Sequence, residues 1–178
     1  MTRRISARVQ RASHSVRQLP TLARLDPQEP LGEESVSLHE VLEEVVSELG
    51  HRLSERNLQL HFEVDESARV SANREALLIL FRNLVSNALR YTPRGGLVQI
   101  IAIDRQVRVE NDSLDVSEPE RLTDRFYRGD NAPQQAEDAG TGLGLSIVNR
   151  ICELHSARLT LAYCRDQRRF SAEVRFRE

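Results

Sequence analysis

The chain contains no lysine: its Lys+Arg total of 25 is entirely arginine. A Walker-type phosphate loop needs its Lys, and so does the nucleotide-binding strand of the common protein kinases. Schiff-base chemistry is excluded for the same reason. Phosphate charge would have to be met by Arg, Mg²⁺ or backbone amides. Tryptophan is absent and aromatic residues make up 4%, which leaves an aliphatic core and no surface on which nucleic-acid bases could stack. The two cysteines, Cys152 and Cys164, lack metal-ligand spacing. They read as plain thiols in a reducing setting. A net charge of −2 argues against a nucleic-acid or membrane footprint. No apolar run has the length of a membrane span and no stretch reads as a secretory leader, so a cytoplasmic location is expected.

With 178 residues, 39% of them hydrophobic, the chain can bury one full core and carry an appendage. Residues 3–25 show a helical stripe of Ile5, Val9, Ala12, Val16, Leu19 and Leu22, broken by Pro20. Residues 27–34 read as a linker, and 35–178 as the main domain. Within it, Ser35–Ser37 is expected as a short strand. A helix follows from Leu38, its apolar side running through Val41, Leu42, Val45, Val46 and Leu49 to Leu53. Residues 58–64 alternate as a strand, and Val70 sits in another. Asn73–Tyr91 is a second helix, stopped by Thr92-Pro93-Arg94-Gly95-Gly96. Strands are expected over 97–104 and 106–111, a short helix over 118–126, a loop over 129–139, and a third helix ending near His155. A final hairpin pairs 158–164 with 169–175. Helices on one side of mostly antiparallel strands give an α+β two-layer sandwich: a mixed sheet covered by about three helices.

Two stretches carry chemistry. Gly140-Thr141-Gly142-Leu143-Gly144-Leu145 places three alternate glycines directly before a helix. Glycine lets the backbone approach a ligand closely, and the unpaired amides at a helix start favour anions, so the pair suits phosphate. Asn83 and Asn87, four residues apart, share one face of an otherwise apolar helix, and Arg90 and Tyr91 extend it by a turn. Asparagine oxygens are hard neutral ligands that suit Mg²⁺ held mainly by phosphates and water. Arg90 can pair with a phosphate oxygen.

The stretch 81–93, Phe-Arg-Asn-Leu-Val-Ser-Asn-Ala-Leu-Arg-Tyr-Thr-Pro, resembles the N box of sensor histidine kinases. Residues 140–145 resemble their G2 box, and Asp124-Arg125-Phe126-Tyr127-Arg128 their F box. The three motifs occur in the family's order, and the likeness covers roughly residues 33–178. It implies the Bergerat ATP-binding fold shared with gyrase and the Hsp90 chaperones, with Mg²⁺-ATP between the N-box helix and a lid at 129–141. It implies Asn87 as the metal ligand and Asn83, Asn87 and Arg128 as the catalytic set. Contacts to ATP would come from Asn83, Asn87, Arg90, Tyr91, Asn111, Phe126, Gly140, Thr141, Gly142, Leu143, Gly144 and Leu145. Residues 1–26 are similar to the end of the second dimerisation helix of these kinases.

The resemblance further implies partners: a phosphoacceptor histidine on a dimerisation domain, of the same or a partner subunit, and then a response-regulator aspartate. The parent would be a homodimer anchored in the bacterial inner membrane, and this stretch alone a monomer. The acceptor helix is not recognisable in the sequence. His14 lacks an acidic neighbour and the following Pro; His39-Glu40 has the acid but no such Pro. In the hydrolytic relatives, a Glu four residues before the magnesium-binding Asn activates water. Here Asn83 stands in that place and cannot take a proton near neutral pH, so transfer to an external nucleophile is expected over hydrolysis.

One motif departs from the pattern. The family's G1 box, Asp-x-Gly-x-Gly, corresponds to Asn111-Asp112-Ser113-Leu114-Asp115. The adenine-reading position falls on Asn111 if strand alternation continues from Val107 and Val109, or on Asp112 in the alternative register. The missing glycines predict weakened nucleotide affinity. They keep open a second function: a degenerate nucleotide-binding regulatory module with little catalysis.

Overall fold

The computed structural model describes residues 32–113, 116, 119–123 and 143–177. The expectations for residues 1–31, the N-terminal helix and most of its linker, lie outside them; Glu34, expected as the linker's last residue, already belongs to a strand.

Strand β1, Glu34–Ser37, pairs antiparallel with β3, Arg69–Ala72, as a separate two-stranded ribbon, Val36 opposite Val70. Ser37 leads into α1, Leu38–Leu49, and caps it, its Oγ accepting from the Glu40 amide at 3.3 Å. Leu38, Val41, Leu42, Val45 and Leu49 are buried along one stripe. The expected helix from Leu38 to Leu53 is in fact two. Gly50 separates α1 from α2, His51–Arg56, which ends on Asn57 in the left-handed conformation (φ 53°). Leu53 continues the stripe across this break, so the apolar period conceals it.

The main sheet has the order β2-β4-β5-β7-β6, with β2 at Gln59–Val64, β4 at Leu97–Ile103, β5 at Gln106–Asp112, β6 at Arg158–Cys164 and β7 at Arg169–Arg175. Among the described residues only the β2–β4 pair is parallel. Between them the chain leaves the sheet through β3 and the long helix α3, Arg74–Tyr91, the crossover that a parallel neighbour requires. Helix α4, Gly144–Leu154, precedes the β6–β7 hairpin. The helix expected over 118–126 is a 3₁₀ turn at Pro119–Thr123 among the described residues.

One face of the sheet is covered. Val98, Ile100 and Ala102 of β4, Val107 and Val109 of β5, and Ala172 and Val174 of β7 pack into a single aliphatic core. The facing residues include Leu42, Val45, Leu77, Leu80, Phe81, Ile147 and Ile151 from the three main helices. The opposite face carries cross-strand ion pairs, Arg108–Glu173 at 2.9 Å and Arg169–Glu110 at 3.0 Å. Such partly exposed pairs contribute at most about 1 kcal/mol each. The result is the two-layer α+β sandwich expected, and among the described residues no helix is long and apolar enough to cross a membrane.

Cys152 is buried in α4 and Cys164 is exposed on β6. Burial, with a smaller contribution from the charge of Glu153, pushes the Cys152 thiol up to about 12, so it is a protonated core residue and not a nucleophile.

Candidate nucleotide site between two helices

Helix α3 is fixed at both ends. Asn73 caps its start, Oδ1 accepting from the Ala76 amide at 3.0 Å, and Glu75 lies in the first turn, where the helix dipole favours an acid. The Asn73 amide in turn donates to Nε2 of His155 at 3.2 Å, while His155 Nδ1 donates to the Ile151 carbonyl at 2.9 Å. The neutral Nδ1–H tautomer is the one that satisfies both bonds. His155 is buried, and it ties the end of α4 to the start of α3.

At the other end, Thr92 returns both its amide and its hydroxyl to the Ala88 carbonyl. Gly96 closes the turn that follows. A Cβ there would stand 2.8 Å from Thr92 Cγ2 and 3.0 Å from the Pro93 carbonyl, so only glycine fits. Arg94, within the turn, is exposed.

Along α3, the residues Ala76, Leu77, Leu80, Phe81, Leu84, Val85, Ala88 and Leu89 are buried. Asn83, Asn87 and Arg90 are half-buried on another side, and Tyr91 is 37% exposed. Asn83 Nδ2 donates to the Ile79 carbonyl at 2.7 Å, which orients its amide. Its Oδ1 faces the first residue of α4: a Cβ added to Gly144 would lie 3.0 Å from Asn83 Oδ1 and 3.7 Å from Asn87 Nδ2. The asparagine face and the glycine stretch therefore meet at Gly144, whose missing side chain lets the two helices close on each other.

Among the described residues no side chain caps the start of α4. Leu143 occupies the cap position in a helical conformation (φ −97°, ψ −18°). Ser146 directs its hydroxyl to the Leu143 carbonyl at 2.9 Å instead of serving the amides. Leu143, Gly144 and Leu145 are half-buried. A helix start without a side-chain cap, next to polar amide side chains, presents N–H donors and the positive end of a dipole. That combination suits an anion such as phosphate.

Asn111 sits at the end of β5 and is buried on the same face as Val107 and Val109, opposite Phe170 in the register with β7. Its Nδ2 donates to the Asp112 carbonyl at 2.8 Å, which leaves the amide oxygen as its outward acceptor. Asp112 is used differently. One carboxylate oxygen accepts from the Leu97 amide at 2.8 Å and the other lies 3.6 Å from Arg169 Nε, so this side chain ties β5 to the start of β4. Asn111 therefore lies on the helix-covered face, while both carboxylate oxygens of Asp112 are engaged within the sheet. Ser113, at a position where the G1 pattern has glycine, is buried, with its amide donating to the Arg168 carbonyl at 2.8 Å.

The structure thus brings together Asn83, Asn87 and Gly144. Arg90 and Tyr91 lie one turn along α3, Leu143 and Leu145 flank Gly144, and Asn111 stands at a strand end on the helix-covered face. Phe126, Arg128, Gly140, Thr141 and Gly142 lie outside the described residues. His39 is held on the domain, its ring edge-on to Phe62 at 5.9 Å and its Nδ1 4.0 Å from Glu43. Two positions escaped sequence reading, His155 and Arg56; both act on backbone atoms far away in the chain, which no motif records.

A family described as histidine kinase-, DNA gyrase B- and HSP90-like ATPases matches residues 72–178. Among curated proteins, the chain is 36% identical over 156 residues to the sensor protein QseC of Salmonella typhi, covering 85% of this chain and 34% of that protein. It is 35% identical over 164 residues to the sensor protein kinase PmrB of Pseudomonas aeruginosa, covering 88% of this chain and 34% of that one. The chain therefore spans about a third of the length of these relatives. Among solved structures, the cytoplasmic segment of histidine kinase QseC superposes with a TM-score of 0.64 at 26% identity, covering 96% of this chain and 95% of that one.

Proposed function

The chain belongs to the histidine kinase-, DNA gyrase B- and HSP90-like ATPase family, on its sensor histidine kinase branch, and from that premise we propose that it binds Mg²⁺-ATP between α3 and α4 and donates the γ-phosphoryl group to a histidine on a dimerisation domain. The observation that carries this reading is the meeting of Asn83 and Asn87 with Gly144 at the start of α4.

Each residue then has a role set by its chemistry. The first amides of α4, in the Leu143–Leu145 stretch, receive phosphate oxygens, and Gly140, Thr141 and Gly142 complete the approach. Asn111 accepts from the adenine amino group through its amide oxygen. Arg90 pairs with a phosphate oxygen and Tyr91 lines the same turn. Arg128 reaches the γ-phosphate from the lid side, with Phe126 at the lid's base. Asn87 offers the neutral oxygen that suits magnesium, which when bound would neutralise charge on the phosphate oxygens. Asn83 occupies the place of a water-activating base without being able to accept a proton, so the γ-phosphoryl group waits for an imidazole nitrogen. As that nitrogen bonds to phosphorus, the bond to the bridging oxygen breaks and ADP leaves. The phosphoryl group then passes to a response-regulator aspartate. Residues 1–26 serve as the end of a dimerisation helix in a homodimeric, membrane-anchored parent.

Thermal unfolding with Mg²⁺-ATP tests the reading. Nucleotide at 100 times its dissociation constant should add about 2.7 kcal/mol. Asn87→Ala should weaken binding at least tenfold, and no acid-labile phosphate should appear on His14 or His39. Absence of any shift at millimolar nucleotide would favour the regulatory module, and brisk hydrolysis dependent on Asn87 would favour an ATPase.

A further inference from the structure

Helix α2 buries none of its side chains completely, yet it lies against the second half of α3. Two arginines one turn apart make that contact. Arg52 donates to Ser86 Oγ at 3.0 Å. Arg56 donates from Nη1 to the carbonyls of Leu89 and Arg90 at 2.5 and 2.6 Å, and from Nη2 to that of Thr92 at 2.9 Å. Its own carbonyl accepts from the Gly95 amide at 3.2 Å, which fixes the turn after α3 from the other side.

The last carbonyls of a helix have no partner within it and form the negative end of its dipole. A guanidinium answers both needs at once, with several donors in a rigid plane and a permanent charge. Thr92 already takes the Ala88 carbonyl, and Arg56 takes the next two, those of Leu89 and Arg90, where α3 stops. The turn it holds is the one bearing Arg90 and Tyr91.

We propose that Arg56 is a positioning residue for the nucleotide. By gathering the carbonyls of Leu89, Arg90 and Thr92 it sets the last turn of α3, and through that turn the directions in which Arg90 and Tyr91 meet the ligand. The inference rests on the ATP-binding reading above. Arg56 does not touch the nucleotide itself.

The test is a cycle of variants in the full chain, read by Mg²⁺-ATP titration and by amide exchange over residues 88–95. Arg56→Met should speed exchange in that segment while leaving β4, β5 and the start of α3 unchanged. It should weaken Mg²⁺-ATP about tenfold, the scale of losing hydrogen bonds made by a charged group. Arg56→Lys, which keeps the charge but not the fork, should recover part of the affinity, and it carries the test if Arg56→Met does not fold. In an Arg90→Ala/Tyr91→Ala background the Arg56 substitutions should cost no further affinity. Equal losses in both backgrounds, or a lower melting point with unchanged affinity, would reduce Arg56 to a structural clamp and overturn the proposal. If the unaltered chain binds Mg²⁺-ATP and Arg56→Met binds it as well, this inference alone falls. If the unaltered chain does not bind, the functional reading falls and takes the inference with it.

Discussion

The two helices that face each other at Gly144 are finished to different degrees. Helix α3 is held at each terminus: Asn73 accepts from the Ala76 amide at its start, and Thr92 and Arg56 take the carbonyls of Ala88, Leu89 and Arg90 at its end. Its buried side is a continuous aliphatic stripe through Phe81. Helix α4 is equally anchored at its far end, through His155, but among the described residues no side chain caps its near end. The first helix is held from both ends by side chains, and the second meets it at a glycine, where no side chain stands between the two backbones. A binding wall can be rigid because the core holds it, whereas an anion is gripped by backbone that glycine leaves accessible.

The comparison can be broken from the rigid side first. Phe81, fully buried where α3 meets the core, should cost about 3–5 kcal/mol when replaced by Ala, measured by urea unfolding, and the chain should lose its nucleotide response with its fold. A smaller effect is expected where the walls touch. Gly144→Ala would press its Cβ to 3.0 Å from Asn83 Oδ1, and that amide is held in place by its bond to the Ile79 carbonyl. A cost of about 1–3 kcal/mol follows from such overpacking. Adding Asn83→Ala should recover most of it; two independent losses would show that the helices do not meet as described. The smallest effect belongs to the cap. Asn73→Ala should lower stability by about 1 kcal/mol and leave Mg²⁺-ATP affinity of the folded chain unchanged, since it removes support from the finished wall without touching the open one.

Much of this was legible in the residues because it is local. The stripe from Leu77 to Leu89, the cap at Asn73 and the alternation over 158–164 and 169–175 each follow from neighbours a few positions apart. The Asn83–Asn87 face could be drawn from helix geometry alone, and the glycines named what would sit opposite. The break at Gly50 was hidden because Leu49 and Leu53 keep helical spacing across it. Arg56 and His155 were invisible because a long-range bond to a backbone atom asks nothing particular of the residue that owns that atom. That Asp112 is taken up within the sheet was not legible either, because its partners are the Leu97 amide on the preceding strand and Arg169 on a strand far along the chain.

The parallel seam between β2 and β4 has a consequence for assembly. The hairpins β4–β5 and β6–β7 can zip from adjacent residues, but joining Gln59 to Leu97 requires the whole of α3 to be threaded between the two strands. Contacts at such separation bear the chain-entropy cost of a large loop before they repay it. A chain in which the hairpins have zipped but that loop has not closed lacks the asparagine wall and so has no cleft.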